Sequence, residues 1–212
     1  LMKKEVQNLI NNKVNIKSKK YSLIIGLNPS SGARSPILWN KVYKNLRMNC
    51  RMYPADISEK NLANFFAQIK KDKNFIGSAV TIPYKEKALK YIDEIDLGAK
   101  KIGSINTIKK KKDKLIGYNT DYIACKLSLK KFGKKKKILI LGAGGAGKSA
   151  IISALEIFKS AKINIYNRTQ KKLVKIKTKQ KNNRLKILKN FKEIIKIKNV
   201  DLLINSTSIG FK

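Results

Sequence analysis

The stretch ILILGAGGAGKSA, Ile138 to Ala150, constrains this chain more than any other. Four branched apolar residues run straight into Gly142, Gly144, Gly145 and Gly147, and a helix-forming run, Ser149 to Phe158, follows. The pattern predicts strand, tight turn and helix. A turn this rich in glycine lets backbone N–H groups approach a phosphate. The opening of the helix then favours the negative charge through its unpaired N–H groups and its dipole.

Two motifs overlap at this turn. Gly142, Gly144 and Gly147 match G-x-G-x-x-G, the mark of a dinucleotide fold, while Gly142, Gly147, Lys148 and Ser149 match a P-loop. Downstream residues separate them. The next strand-like run, KINIYNRT, ends in Asn167, Arg168 and Thr169, about twenty residues on, where an NAD-binding fold places a carboxylate for the ribose. A guanidinium there can fork onto a 2′-phosphate, with Lys171 and Lys172 adding positive charge. A P-loop protein needs a strand ending in Asp for its metal, yet Asp201 begins its apolar run. The reading favours NADP over ATP, with P-loop nucleotide binding as the alternative.

At 212 residues the chain can form one large domain or two small ones with a real core. No apolar run approaches the eighteen or so residues of a membrane span, and the first residues lack the apolar centre of a signal peptide. Cys50 and Cys125 make no disulfide framework, so a cytoplasmic location is expected. The formal charge of +36 would suit a nucleic-acid partner. However, the basic residues are nearly all lysine and are scattered, with one dense run at Lys134 to Lys137. Neither a nucleic-acid nor a membrane partner is expected. The charge would steer anionic small molecules.

Along the chain, residues 1–20 read as a polar lead-in. YSLIIGL is a strand, followed by a helix with Ser35 as N-cap and Pro36 at its first position; Trp39, Val42, Tyr43 and Leu46 fall at helical spacing. Tyr53 to Ile57 is too short to assign. Glu59 to Ile69 is helical, with Leu62, Phe65, Phe66 and Ile69 on one face. FIGSAVTIPYKEKALKYI is a strand turning at Pro83 into a helix near Lys85, and KIGSINTIKKKKDKLIGYNTD gives two short strands. A helix from Tyr122 to Lys131 leads to the glycine-rich half, where strands and helices alternate. That alternation predicts a parallel sheet covered on both faces.

Four segments, GLNPSSGARSP, AVTIPYKEKA, IGSINTI with GYNTD, and LGAGGAGKSA followed by YNRT, resemble in type and order the shikimate dehydrogenases, including the quinate/shikimate branch. The similarity runs from about Tyr21 to the chain end. The resemblance implies an α/β fold: an N-terminal substrate domain with a mixed sheet, residues 1–124, then a Rossmann-type NADP domain, residues 125–212. It implies a monomer or homodimer that reduces 3-dehydroshikimate to shikimate with NADPH, in aromatic amino-acid biosynthesis. Carried across where residues match, Lys85 and Asp121 are the catalytic pair, and Ser35, Thr81, Asn106 and Asp121 contact the substrate. Gly142, Ala143, Gly144, Gly145 and Ala146 cradle the pyrophosphate. Asn167, Arg168, Thr169, Lys171 and Lys172 take the adenosine phosphate; no metal is implied.

The residue types suit this chemistry. Reducing a ketone creates an alkoxide that needs a proton, and an ordinary lysine carries one at neutral pH. Asp121 nearby would hold the ammonium, and Thr81 and Asn106 offer neutral hydrogen bonds to ring hydroxyls. Taken singly, Lys85 is a solvated residue of a first helical turn, Asp121 a helix cap, Ser35 an N-cap, and Tyr84, Tyr118 and Trp39 core or rim aromatics. Glu86, Asp93, Glu94 and Asp96 read as a solvated helix face.

The chain also departs from the family pattern. Ala33 stands where a first serine is usual, leaving Arg34, Ser30 or Ser31 to replace the lost hydroxyl. Ala79 replaces an asparagine, and Tyr122 replaces a glycine after Asp121, so that Tyr122 would crowd the ring pocket or redirect the loop. Family chains continue past NSTSIG with further strands, nicotinamide contacts and a C-terminal helix carrying a glutamine. The expectation is a C-terminally truncated sequence.

Overall fold

In the computed structural model, which describes residues 2–180, 182–207 and 209, the polar start of the chain is already part of the core. Helix α1 (Met2–Asn8) and the segment after it bury Val6, Ile10 and Ile16. Val6 lies in α1 and Ile10 just past its end, and the lysines and asparagines around them hide both in the sequence. The chain divides into two units, Leu1–Thr120 and Asp121–Lys212. The sequence reading placed the division after residue 124.

The first unit continues with β1 (Lys20–Gly26), α2 (Ser35–Asn45), β2 (Cys50–Asp56), α3 (Leu62–Lys71), β3 (Phe75–Val80) and α4 (Tyr84–Lys87). It ends with β4 (Glu94–Ile95), α5 (Leu97–Ile102), β5 (Thr107–Lys111) and β6 (Lys114–Tyr118). Its six-stranded sheet has the order β2-β1-β3-β5-β6-β4. Strands β2, β1 and β3 are parallel, whereas β5 pairs antiparallel with both β3 and β6. The mixed sheet is as expected. Tyr21, Leu23 and Ile25 alternate onto one face, where they pack with Leu62, Phe65, Phe66 and Ile69 of α3. Each such side chain contributes about 1.5–3 kcal/mol by leaving water. Ser22 points the other way and meets the Tyr43 hydroxyl of α2 at 2.9 Å.

Two details differ from the sequence reading. Arg34, not Ser35, caps α2; its carbonyl accepts the N–H groups of Ile37 and Leu38 at 3.1 and 3.3 Å, so Ser35 is already the first helical residue. The acidic run is not one solvated helix face. Asp93 pairs with Lys70 and accepts the Leu115 N–H, Glu94 lies in β4 and pairs with Lys114, and Asp96 caps α5 through Gly98 and Ala99.

Helix α6 (Thr120–Lys130) leads into β7 (Lys137–Leu141), α7 (Gly145–Ile157), β8 (Lys162–Tyr166), α8 (Gln170–Gln180), β9 (Leu185–Ile187), α9 (Phe191–Ile195) and β10 (Leu202–Asn205). The four strands are parallel in the order β10-β7-β8-β9. That is the start of the Rossmann order, in which consecutive strands step outward from the first and the fourth returns to its other side. Ile138, Ile140, Ile163 and Ile165 form the core with Ile151, Ala154 and Leu155 of α7. Among the described residues no helix is long and apolar enough to cross a membrane.

Candidate functional site

In the first unit, four segments are stitched together at one rim of the sheet. The Thr81 N–H donates to the Ile25 carbonyl (2.8 Å) and the Leu27 N–H to the Ile82 carbonyl (3.2 Å), joining the loops after β1 and β3. The Ile105 N–H donates to the Lys85 carbonyl (2.8 Å), and the Asn106 N–H to that of Tyr118 (3.0 Å). Gly26 makes this closeness possible: a Cβ there would lie 2.5 Å from Thr81 Cγ2 and 3.3 Å from Pro29 Cδ. Thr81, Lys85 and Asn106, separate in sequence, therefore belong to one cluster of loops.

Each residue is held differently. Lys85 sits half-buried in α4, and its neighbour Tyr84 is fully buried, with its hydroxyl donating to the Ile57 carbonyl at 2.6 Å. Tyr84 is thus a core aromatic that anchors the turn carrying Lys85. Asn106 Nδ2 donates to Thr120 Oγ1 (2.8 Å), and its Oδ1 accepts the Thr120 N–H (2.9 Å), leaving one amide hydrogen of Nδ2 for a ligand. Buried Asn119 donates to the Ser104 carbonyl at 2.9 Å and fixes the same corner. The hydroxyls of Ser35 and Thr81 make no hydrogen bond among the described residues.

The two serines expected to offset Ala33 are not available for it. Ser30 gives both its N–H and its hydroxyl to the buried Asp56 carboxylate, and the Ser31 hydroxyl donates to the Asn28 carbonyl at 2.8 Å. Asp56 was missed in the sequence because it ends the unassigned strand β2 and its partner lies 26 residues away. Its role is to brace the loop before α2.

In the second unit, the glycine turn opens α7 directly, four residues before the Ser149 start read from the sequence. Glycine carries no apolar signal, so the first helical turn was invisible to periodicity. Gly142 has φ +97°, and a Cβ on Gly147 would lie 2.4 Å from the Gly142 carbonyl oxygen; the turn tolerates no side chain at either place. The Gly142 N–H donates to the Tyr166 carbonyl (2.8 Å) and the Ala143 N–H to Asn167 Oδ1 (3.0 Å). Both groups shape the turn from inside. Gly144, Gly145 and Ala146 are exposed at the mouth of the thirteen-residue helix, whose first N–H groups have no carbonyl one turn back. A pyrophosphate fits this cradle.

Asn167 is likewise occupied: its Nδ2 donates to the Thr169 carbonyl at 2.9 Å. Arg168, Thr169, Lys171 and Lys172 are exposed at the end of β8 and the start of α8. The P-loop reading fails on geometry. Ser149, which would hold magnesium, is buried and its hydroxyl points back to the Gly145 carbonyl at 3.3 Å. Asp201 stands beside the first residue of β7, at the opposite end of the strands from the turn, and accepts the N–H groups of Lys136 and Lys137 (both 2.8 Å).

Asp121 lies in the first turn of α6, as its second residue. Tyr122 follows it in α6. Its side chain is buried within its own unit, with the hydroxyl donating to Glu156 of α7.

Comparison with known proteins agrees with this architecture. Residues 24–108 match the model of the shikimate dehydrogenase substrate binding domain, and residues 126–210 that of shikimate / quinate 5-dehydrogenase. A shikimate dehydrogenase (NADP(+)) of Methanococcus maripaludis is 38% identical over 203 residues, which cover 93% of this chain and 70% of that protein. The crystal structure of shikimate dehydrogenase from Aquifex aeolicus aligns with a TM-score of 0.78 at 32% identity, covering 94% of this chain and 73% of that one. A shikimate dehydrogenase solved in complex with NADP+ aligns with a TM-score of 0.73 at 33% identity, covering 94% and 70%. The chain belongs to the shikimate dehydrogenase family.

Proposed function

We propose that this chain reduces 3-dehydroshikimate to shikimate with NADPH, in aromatic amino-acid biosynthesis, with Lys85 as proton donor and Asp121 as its partner. The observation that carries the reading is the convergence of Thr81, Lys85 and Asn106 on one rim, in a chain whose relatives carry this name. NADPH, when bound, supplies the reducing equivalent. Gly144, Gly145 and Ala146 hold its pyrophosphate, and Arg168 with Lys171 and Lys172 its adenosine phosphate.

Lys85 Nζ delivers a proton to the oxygen of the former ketone, and in the reverse direction takes it back. The Asp121 carboxylate stabilises the ammonium form and orients it. Thr81 and the remaining amide hydrogen of Asn106 bind ring hydroxyls, and Ser35 contacts the carboxylate. Quinate is a second substrate to test, because Ala33 has removed one hydroxyl from this loop and Ser30 and Ser31 do not restore it.

The test is NADP+ reduction, followed by absorbance, with shikimate and with quinate. Turnover with shikimate is the expected result. An inert protein that still binds NADP+ would show a binding module instead.

A further inference from the structure

Tyr122, beside Asp121, packs within the second unit. Residues 122, 125, 126 and 129 fall on one face of α6 and meet α7 within the second unit. The Tyr122 hydroxyl donates to Glu156 Oε2, and Lys126 Nζ approaches the same oxygen at 2.9 Å while lying 5.6 Å from the centre of the Tyr122 ring. One turn earlier on α7, the Ser153 hydroxyl reaches the Tyr122 carbonyl at 3.5 Å. Leu129 completes the seam in the core. Tyr122 is 6% exposed and Ser153 0%, so the contact is a packed one rather than a surface pair.

Helix α7 is the same helix whose first turn forms the phosphate cradle. The seam therefore fixes the first turn of α6, and with it the backbone of Asp121, to the element that receives the cofactor. On the other side of the same peptide, Thr120 is clamped by Asn106 within the first unit. The backbone of Asp121 sets the few staggered positions that its short side chain can reach.

We infer that Tyr122 and Glu156 form a positioning pair that sets the Asp121 carboxylate for proton transfer, so that they act on turnover through Asp121 and not through substrate or cofactor binding. This rests on the function proposed above. A misplacement of the order of 1 Å can cost up to roughly 100-fold in rate, and loss of one hydrogen bond in a packed seam should give a smaller shift.

The experiment measures kcat and both KM values for wild type, Tyr122→Phe, Glu156→Gln, Asp121→Asn and the double variant Asp121→Asn/Tyr122→Phe, with shikimate and NADP+. The expected result is a fall in kcat of about 10-fold for Tyr122→Phe, with both KM values within about twofold of wild type. In the Asp121→Asn background, Tyr122→Phe should have no further effect. Equal kcat for wild type and Tyr122→Phe overturns the inference, and so does an undiminished loss in the Asp121→Asn background, which marks a merely structural role. If Tyr122→Phe does not fold, Glu156→Gln, which keeps the ring, decides between the same two outcomes, alone and combined with Asp121→Asn. An inactive wild type overturns the functional reading, whereas an active wild type with an unaltered Tyr122→Phe overturns only this inference.

Discussion

Asn167 Oδ1 accepts the N–H of Ala143 over 3.0 Å, so the residue that follows β8 braces the turn that follows β7. The amide shapes the cradle from behind, and its Nδ2 also donates to the Thr169 carbonyl at 2.9 Å. Asn167→Ala leaves a turn donor without its partner, at a cost of about 1 kcal/mol. KM for NADP+ and for NAD+ should each rise roughly 5- to 10-fold, while KM for shikimate stays constant. Unchanged cofactor KM values would show that the turn holds its shape unaided.

Arg168, one residue on, is exposed and should act on the 2′-phosphate alone. A charge-assisted hydrogen bond is worth roughly 1.5–3 kcal/mol, which corresponds to roughly 10- to 150-fold. Arg168→Ala should lower kcat/KM for NADP+ by that factor and leave NAD+ unaffected. A wild type that prefers NAD+ contradicts the assignment.

Arg184 ties the far end of α7. Its guanidinium donates to the carbonyls of Leu155 and Phe158 at 2.9 and 2.7 Å, groups that a helix end leaves open, and to that of Ala161 in the following loop at 3.4 Å. Arg184→Ala should destabilise the second unit by about 2 kcal/mol in denaturant titration, with kcat of the folded fraction preserved. Arg184→Lys, lacking the fork, should recover only part of that loss.

Asp201 gives stability a pH dependence. The N–H groups of Lys137 and Lys136 hold its carboxyl below the usual carboxylate range, with the nearby lysine charges acting in the same direction. A pKa lowered by folding means stability that is present above the unfolded value of roughly 3.9 and is lost as pH falls through the lower folded value. The difference in Tm between wild type and Asp201→Asn should therefore be largest near neutral pH and vanish in acid. A constant difference would mean the carboxylate charge is not involved.

Much of the second unit was legible in the sequence because β7 and β10 carry unbroken apolar runs, Ile138 to Leu141 and Leu202 to Ile204, bounded by glycine or charge. What was missed depended on distant partners. Strand β2 carries Arg51 and Pro54 at a sheet edge, so no alternation marks it. Helix α5 is six residues long and owes its limits to the Asp96 cap and to Gly103 at φ +74°. The Ser30–Asp56 brace and the Tyr122–Glu156 contact span 26 and 34 residues, and no local pattern announces either. The convergence of Thr81, Lys85 and Asn106 had its signal in the order of the motifs, while the engagement of Asn106 and Asn167 inside the fold did not.

Lys85 offers the most direct test of the account. Turnover of shikimate with NADP+ should fall by roughly 10²–10⁴ in Lys85→Ala, while calorimetry still records shikimate binding to the variant. A Lys85→Ala protein that turns over as fast as wild type would contradict the assignment of the proton to this side chain.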